Sequence, residues 1–244
     1  MIALSVIIPC YNEAKNIPLI LARLREVLEK RDDVEIVLVD NGSQDDSGLV
    51  FSHQLASYDP ARFRLVTVSV NNGYGYGILS GLAQAAGATL AWTHADMQTD
   101  PADVLMAFDR YKDKLDANEC IVKGKRRNRA LPDALFTLGM QVFVLFVLRV
   151  SLDDINAQPK IFSRRFYDQF ITASAPQDFS LDLFLLYQAR ANGFKILTVP
   201  VVFAPRLFGE AKGGGSWKTK LRLIRRTISY IFCLKRKLTG EPSA

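Results

Sequence analysis

The sequence predicts an α/β protein whose mostly parallel sheet is covered by helices on both faces. Between residues 4 and 112, short apolar runs alternate with segments whose apolar residues recur at helical spacing. This alternation is typical of parallel strands, because each parallel pair needs a crossover connection. Of the 244 residues, 49% are hydrophobic and 23% are charged, which excludes a disordered chain and allows one large core.

The predicted elements follow from these patterns in chain order. Strands are expected at 4–9, 35–39, 63–69, 88–93 and 195–203, where β-branched and other apolar residues form short runs. Helices are expected at 15–30, from 74 to 86, at 101–112, at 134–148 and around 180–192. The apolar run at 134–148 is shorter than the ~20 residues that cross a bilayer, so a buried or interfacial helix is expected there.

Basic residues are concentrated at the end of the chain. Residues 217–244 carry eight basic residues and one acidic residue, within a chain of net charge +6. Such a surface suits phosphate, anionic lipid or nucleic acid. We expect a domain over 1–215 and a basic amphipathic helix or tail over 216–244. Its apolar side would comprise Trp217, Leu221, Ile224, Ile228, Ile231, Phe232 and Leu234. The alternative is a helix docked on the core.

Polar and glycine residues gather after four of the predicted strands. The segments are PCYNE (9–13), DNGS (40–43), NNGYG (71–75) and HADMQ (94–98). Ligands of open α/β sheets bind outside the carboxyl ends of the strands. Each segment alone could be an ordinary turn, but the four together favour a polar, phosphate-bearing ligand. Neither a G-x-G-x-x-G nor a G-x-x-x-x-G-K-[ST] motif is present, which argues against a dinucleotide fold or a Walker loop.

The segment after the fourth strand also predicts a metal site. His94, Asp96 and Gln98 stand at alternate positions, which directs their side chains toward one face. Oxygen ligands of this kind suit a divalent ion that keeps several waters and binds the phosphates of a ligand. The alternative is that Asp96 caps the helix at Pro101, but Asp100 already occupies the capping position.

In order along the chain, these segments resemble the signatures of family 2 inverting glycosyltransferases. The matching motifs are SVIIPCYNE (5–13), VDNGSQDDS (39–47), NNGYGYG (71–77) and HADMQTDP (94–101). The motif GKR (124–126) resembles the family's Gly-x-Arg, and NAQPKIFSR (156–164) stands where the family has an acceptor-loop turn, although NAQPK differs from the G-F-R turn expected in mannose synthases. The ending VPV (199–201), Arg206 and GEAK (209–212) looks most like that of polyprenyl-phosphate mannose and glucose synthases. The resemblance covers residues 3–215 and implies a Rossmann-like glycosyltransferase-A (GT-A) fold.

The resemblance also implies roles for individual residues. The nucleotide pocket would be lined by Pro9, Tyr11, Glu13, Asp40, Gly73 and Ala95. Asp96, Gln98 and His94 would hold Mg²⁺ or Mn²⁺ on the donor's diphosphate. Arg126, Arg206 and Lys212 would bind phosphate groups. Catalysis would rest on Asp96 and Arg206, because a metal and basic side chains stabilise the departing diphosphate, and on Asp182 as a candidate base.

The sequence departs from the family pattern at three positions, and the last departure bears on the acceptor. His94 replaces an acidic residue, Ala211 replaces a serine, and Phe184 stands where relatives often carry glutamate, leaving Asp182. A hydroxyl acceptor needs a general base, whereas a lipid monophosphate is already ionised. The loss of a carboxylate therefore favours a phosphate acceptor.

The resulting hypothesis is transfer of a sugar, with inversion, from a UDP- or GDP-sugar to a polyprenyl phosphate. The protein is expected to be cytoplasmic and peripheral, bound to an anionic membrane surface at the inner face. Free thiols, expected from three unpaired cysteines, agree with a reducing compartment. One alternative is transfer to a saccharide hydroxyl in surface-polysaccharide assembly. Another is nucleic-acid binding, which we do not expect because no stacking-aromatic or recognition-helix pattern accompanies the basic tail.

Overall fold

The computed structural model describes residues 1–127, 139, 141, 143–208 and 217–239, and within the last range the side chains of 225–236. The strands are β1 (Leu4–Cys10), β2 (Val34–Asn41), β3 (Phe63–Val68), β4 (Thr89–Trp92), β5 (Cys120–Arg127), β6 (Lys160–Ser163) and β7 (Lys195–Val202). The helices are α1 (Ile17–Val27), α2 (Ser47–Leu55), α3 (Tyr74–Gln84), α4 (Ala102–Asp116), α5 (Arg164–Phe170), α6 (Leu181–Ala191) and α7 (Trp217–Thr239).

The seven described strands form one sheet with the strand order β3-β2-β1-β4-β6-β5-β7. All neighbouring strands are parallel except at β6, which is antiparallel to both β4 and β5. The predicted mostly parallel sheet is therefore confirmed. Because β6 runs in the opposite direction, its first residue, Lys160, lies opposite the last residue of β4, Trp92. The beginning of β6 thus lies at the same edge as the carboxyl ends of the parallel strands.

Helices cover both faces of the sheet, as predicted. Side chains alternate along a strand, so Val6 and Ile8 of β1 pack in one core cluster with residues of α1 and α4. Ile7 points to the other face, where α3 packs against it. A Cβ at Gly81 of α3 would lie 2.6 Å from Ile7 and 2.8 Å from Val39, so only glycine permits this close approach.

Four elements have no counterpart among the predicted strands and helices: α2, β5, β6 and α5. β6 has four residues and begins with a lysine, so it carries no clear apolar period. Helix α2 buries only Ser47 and Phe51, which leaves almost no apolar stripe. The predicted helix over 134–148 lies partly outside the described residues, and its described positions, 139, 141 and 143–148, are helical.

Contacts divide the chain into two units. The first comprises 1–128 and 156–208 and contains the whole sheet, whereas the second comprises 129–155 and 209–244. In the second unit, the rings of Phe143 and Phe232 meet edge to face at 5.9 Å. Within the described residues, no helix combines the length and the apolar character that a membrane span requires.

Candidate active site

Three loops at the carboxyl edge of the sheet bring charged side chains close to one another. Asp96 follows β4 and is 4% exposed. Arg206, which follows β7, donates from Nη2 to Asp96 Oδ2 at 2.5 Å. Its Nη1 lies 3.9 Å from Oε1 of Glu13, in the loop after β1. The structure therefore brings together three residues that were assigned to the site from distant parts of the sequence.

Gln98 is fixed against the segment that carries Arg206. Its backbone N–H donates to Asp96 Oδ1 at 3.1 Å, which closes a tight turn. Its side-chain Nε2 donates to the Ala204 carbonyl at 3.1 Å, and the Ala204 N–H donates back to the Gln98 carbonyl at 2.8 Å. The side-chain amide nitrogen of Gln98 is therefore engaged in a hydrogen bond within the protein, and its amide oxygen is the atom that could bind a cation.

The residues assigned to the nucleotide pocket lie at the ends of β1 and β2. Pro9 stands opposite Val39 in the parallel register, which places Tyr11 and Asp40 at the same edge. Asp40 is 7% exposed, and its Oδ1 accepts from the Ser43 N–H at 3.1 Å. Ser43 Oγ in turn accepts from the Asn12 N–H at 3.0 Å. These bonds tie the two loops together, as a pocket shared between them requires.

Cys10 lies among the carboxylates of this pocket. Burial raises the pKa of its thiol well above the ordinary value, and the negative charges of Glu13 and Asp40 raise it further. The thiol therefore stays protonated at neutral pH, as a small apolar residue of the core.

Gly73 and Ala95 are placed by packing. Gly73 has φ = +120°, and a Cβ there would lie 2.5 Å from the Gln177 carbonyl oxygen. The same carbonyl accepts from the Tyr76 N–H at 2.8 Å. Gly73 therefore allows the start of α3 to pack closely against the loop that leads to α6. Ala95 is 3% exposed and belongs to the core. Contact of either residue with a nucleotide stays a prediction.

A second polar cluster, buried beside the first, surrounds Asp182 in the first turn of α6. Asp182 Oδ1 accepts from Lys160 Nζ at 2.7 Å and from Gln158 Nε2 at 3.0 Å. Gln158 Nε2 also lies 3.2 Å from the Tyr74 hydroxyl. Lys160 is 0% exposed and Asp182 3%. No role was predicted for Lys160 or Gln158 from the sequence, although both stand in the NAQPK motif.

His94 links the two clusters electrostatically. Burial lowers the pKa of its imidazole; the charges of Asp96 and Asp182 raise it, and those of Lys160 and Arg206 lower it. All four charges therefore act on one ring, and the imidazole is neutral at pH 7. A neutral imidazole has a nitrogen lone pair available for a metal.

An aromatic wall borders His94. The His94 ring lies 5.9 Å from that of Tyr74, which stacks on the half-exposed Phe179 at 5.1 Å with an interplanar angle of 7°. Burial and the negative charge of Asp182 raise the pKa of the Tyr74 hydroxyl. Tyr74 therefore remains a neutral hydrogen-bonding group in this wall.

Of the other predicted phosphate ligands, Arg126 is described and Lys212 lies outside the described residues. The Arg126 guanidinium stacks 5.3 Å from the ring of Phe203, in the segment that leads to Arg206. A Cβ at Gly124 would overlap the Gln158 carbonyl, so glycine is required where β5 passes the NAQPK motif. Lys123, from the same basic stretch, is 1% exposed and therefore lies in the interior.

The residues around Asp96 fit a divalent ion that arrives with a diphosphate. Among the described residues, no group of three or more His, Cys, Asp or Glu side chains could hold a metal. The protein instead offers one carboxylate, one amide oxygen and one neutral imidazole. The Asp96 carboxylate already interacts with the Arg206 cation, so it lies where a positively charged group can be bound. A metal here needs phosphate oxygens and waters to complete its coordination.

Known proteins are similar to this chain in sequence. Residues 5–169 match the model of the family described as glycosyl transferase family 2. A polyprenol monophosphomannose synthase of Mycolicibacterium smegmatis is 27% identical over 219 residues, which cover 86% of this chain and 81% of the relative. An undecaprenyl-phosphate 4-deoxy-4-formamido-L-arabinose transferase of Pseudomonas fluorescens is 28% identical over 94% of this chain. The match covers 64% of that relative, so a third of its length has no counterpart here.

Solved structures share the fold. Glucosyl-3-phosphoglycerate synthase of Mycobacterium tuberculosis, solved with Mn²⁺, UDP-glucose and phosphoglyceric acid, superposes with a TM-score of 0.70. The match has 16% identity and covers 99% of this chain and 81% of that one. The same enzyme with Mg²⁺ and UDP gives a TM-score of 0.69 at 15% identity. The predicted GT-A fold is thereby confirmed.

Proposed function

The chain belongs to glycosyl transferase family 2, and from this premise we propose that it transfers a sugar, with inversion, from a nucleoside diphosphate sugar to a polyprenyl phosphate. The Asp96–Arg206 pair at the carboxyl edge of the sheet carries the proposal, because it sets a carboxylate that would bind a metal beside a guanidinium that would bind phosphate. The acceptor class is supported by relatives that are named for polyprenol and undecaprenyl phosphate.

The chemistry of the donor fits these side chains. Breaking the bond between the anomeric carbon and the diphosphate leaves negative charge on the departing oxygen. Arg206 and Arg126 would stabilise that charge, and an ion held by Asp96, Gln98 and His94 would supply Lewis-acid charge. An oxygen of the acceptor phosphate attacks the opposite side of the anomeric carbon and forms the new bond. The acceptor needs no deprotonation, because it is already ionised.

Release of nucleoside diphosphate from a panel of donors and acceptors tests this function. The full chain is incubated with UDP- and GDP-sugars and Mn²⁺, and with a polyprenyl phosphate, the matching prenol or an oligosaccharide. We expect release to depend on the polyprenyl phosphate. Release that depends on the oligosaccharide would instead support transfer to a saccharide hydroxyl. Thermal shifts with free UDP and GDP identify the base, since selective binding stabilises the fold.

The metal preference gives a further prediction about His94. Imidazole suits later transition metals, whereas Mg²⁺ prefers hard oxygen ligands. We expect Mn²⁺ to support tighter donor binding than Mg²⁺, and His94→Asp to narrow that difference, as titrations of the donor with each metal can measure. Equal Mn²⁺-to-Mg²⁺ ratios in both proteins would show that His94 is not a ligand. Full activity in the presence of EDTA would refute the assignment of a metal site to His94, Asp96 and Gln98.

We also propose peripheral binding to an anionic membrane surface through the second unit, which combines residues 129–155 with residues 209–244 and so includes the predicted basic helix. The predicted catalytic domain over 1–215 stays a proposal. On α7, Arg225, Arg226, Lys235 and Arg236 are exposed. Ile231 and Leu234, which were predicted to belong to the apolar side, are buried in the protein and therefore do not face lipid. Among the described side chains of the unit, the exposed large apolar residues are Leu145, Phe146 and Phe232, at 46%, 78% and 47%. These would contact lipid.

Co-sedimentation with liposomes tests the membrane surface. Each cation near an acidic leaflet contributes about 1 kcal/mol, so binding is expected to require anionic lipid and to weaken in high salt. Phe146→Ser should reduce binding, whereas Met106→Ser, at a 61% exposed position on α4, should not. Equal pelleting with neutral lipid, or equal effects of the two substitutions, would contradict the proposal.

A further inference from the structure

The buried contact between Lys160 and Asp182 bears on which acceptors the site can use. Asp182 is the candidate base of the sequence analysis, at the start of α6. Lys160 Nζ donates to its Oδ1 at 2.7 Å and to the Ala157 carbonyl at 2.7 Å. Gln158 Nε2 donates to the same Oδ1 at 3.0 Å. With side-chain exposures of 0% and 4%, this pair is far better shielded from water than a surface salt bridge.

We propose that Lys160 holds Asp182 as a buried ion pair and thereby prevents it from acting as a general base, which restricts the site to acceptors that are already ionised and suppresses hydrolysis of the donor. The inference rests on the proposed function. It adds that one residue, Lys160, is responsible for the selection of phosphate over hydroxyl acceptors. Lys160 acts here as a positioning residue, through Asp182.

The physical reason lies in the charge balance of the buried pair. A base that takes a proton from a hydroxyl becomes neutral. Neutral Asp182 would remove a carboxylate charge that lies 2.7 Å from a fully buried ammonium, and breaking a buried ion pair in this way is strongly unfavourable. Asp182 nevertheless lies near the site, because Gln158 Nε2 contacts both Asp182 Oδ1, at 3.0 Å, and the Tyr74 hydroxyl, at 3.2 Å, and the Tyr74 ring lies 5.9 Å from that of His94. The carboxylate is therefore near the chemistry but already engaged by the buried ammonium.

Removing the lysine is expected to permit a hydrolytic reaction. In that reaction, a water proton moves to the Asp182 carboxylate while the water oxygen bonds to the anomeric carbon. The bond from that carbon to the diphosphate breaks, and its electron pair leaves with the nucleoside diphosphate. The products are free sugar and nucleoside diphosphate, with no oxidant or further reactant. Damage to the structure alone would lower both hydrolysis and transfer, whereas this reaction raises hydrolysis.

The test measures nucleoside diphosphate release without acceptor in wild type, Lys160→Met and Lys160→Gln. General-base catalysis typically contributes 10²–10⁴-fold, so we expect release to rise by about tenfold or more in the single variants. Adding Asp182→Asn should abolish the increase, because an amide cannot take the proton. Arg64→Met is the matched control, since it removes a cation 3.4 Å from the buried Glu35, away from the site. It should leave release unchanged.

Unchanged or lower hydrolysis in both folded Lys160 variants, or an increase that survives Asp182→Asn, would overturn the inference. The wild-type protein provides a test that needs no variant. It should use a prenyl phosphate but neither the matching prenol nor water at a comparable rate, and comparable rates would also overturn the inference. Because hydrolysis is measured without acceptor, a failure of the inference can be told from a failure of the proposed acceptor class.

Discussion

Asp96→Asn is expected to reduce sugar transfer by about a hundredfold to a thousandfold, the range found when one group that stabilises transition-state charge is removed. The substitution keeps the shape of the side chain but removes the only carboxylate offered to a metal by the predicted set of His94, Asp96 and Gln98. It also removes the charge that holds the Arg206 guanidinium at 2.5 Å. Both groups that would face the donor's diphosphate therefore lose their placement. Steady-state rates at saturating donor and metal measure the effect.

Asp100→Asn is the matched control for this prediction. Asp100 pairs with Arg23 at 2.8 Å in a carboxylate–guanidinium contact of the same kind, but near the surface and outside the site. The control should keep nearly full activity, and melting temperatures should show that both variants are folded. Activity of Asp96→Asn within a few fold of wild type would mean that Asp96 does not serve the diphosphate.

Arg206→Ala is expected to show the second largest effect, a loss of about tenfold to a hundredfold in kcat/KM. The estimate follows from the ~1.5–3 kcal/mol that a hydrogen bond to a charged group contributes. The sequence assigned Arg206 to phosphate, and the structure places it on Asp96 and near Glu13. Its guanidinium therefore lies beside the carboxylate that would hold the metal, where the diphosphate is expected.

The matched variants are Arg206→Lys and Arg23→Ala. Lysine keeps the charge but not the planar fork, so Arg206→Lys should recover part of the lost activity. Arg23 pairs with Asp100 outside the site, and its replacement should have little effect. Normal turnover by Arg206→Ala would refute the phosphate assignment.

The parts of the fold with a strong sequence period were predicted well. β2 is buried along its whole length and β1 at every residue except Pro9, and α1 buries Ile17, Ile20, Leu21 and Leu24 at helical spacing. The prediction that the polar segments after the strands lie at one edge of the sheet was correct, because parallel strands have their carboxyl ends at the same edge. Asp96, Arg206 and Glu13 meet there for that reason.

The Lys160–Asp182 pair could not be predicted by the same reasoning. β6 is too short to show a period, and its antiparallel pairing with β4 brings its first residue, not its last, to the site edge. A lysine in a loop-like motif is usually solvated, so nothing local marked Lys160 as buried. Only the tertiary structure reveals that its ammonium finds a carboxylate in the first turn of α6.

The chemical identity of the lipid product tests the central claim most directly. The full chain, supplied with its nucleotide sugar, Mn²⁺ and a polyprenyl phosphate, should yield a lipid whose mass equals that of the acceptor plus one sugar residue. Phosphorus and proton NMR should show a phosphodiester to the anomeric carbon, with configuration opposite to that of the donor. A product joined through a hydroxyl oxygen, or one that keeps the donor's anomeric configuration, would contradict the account.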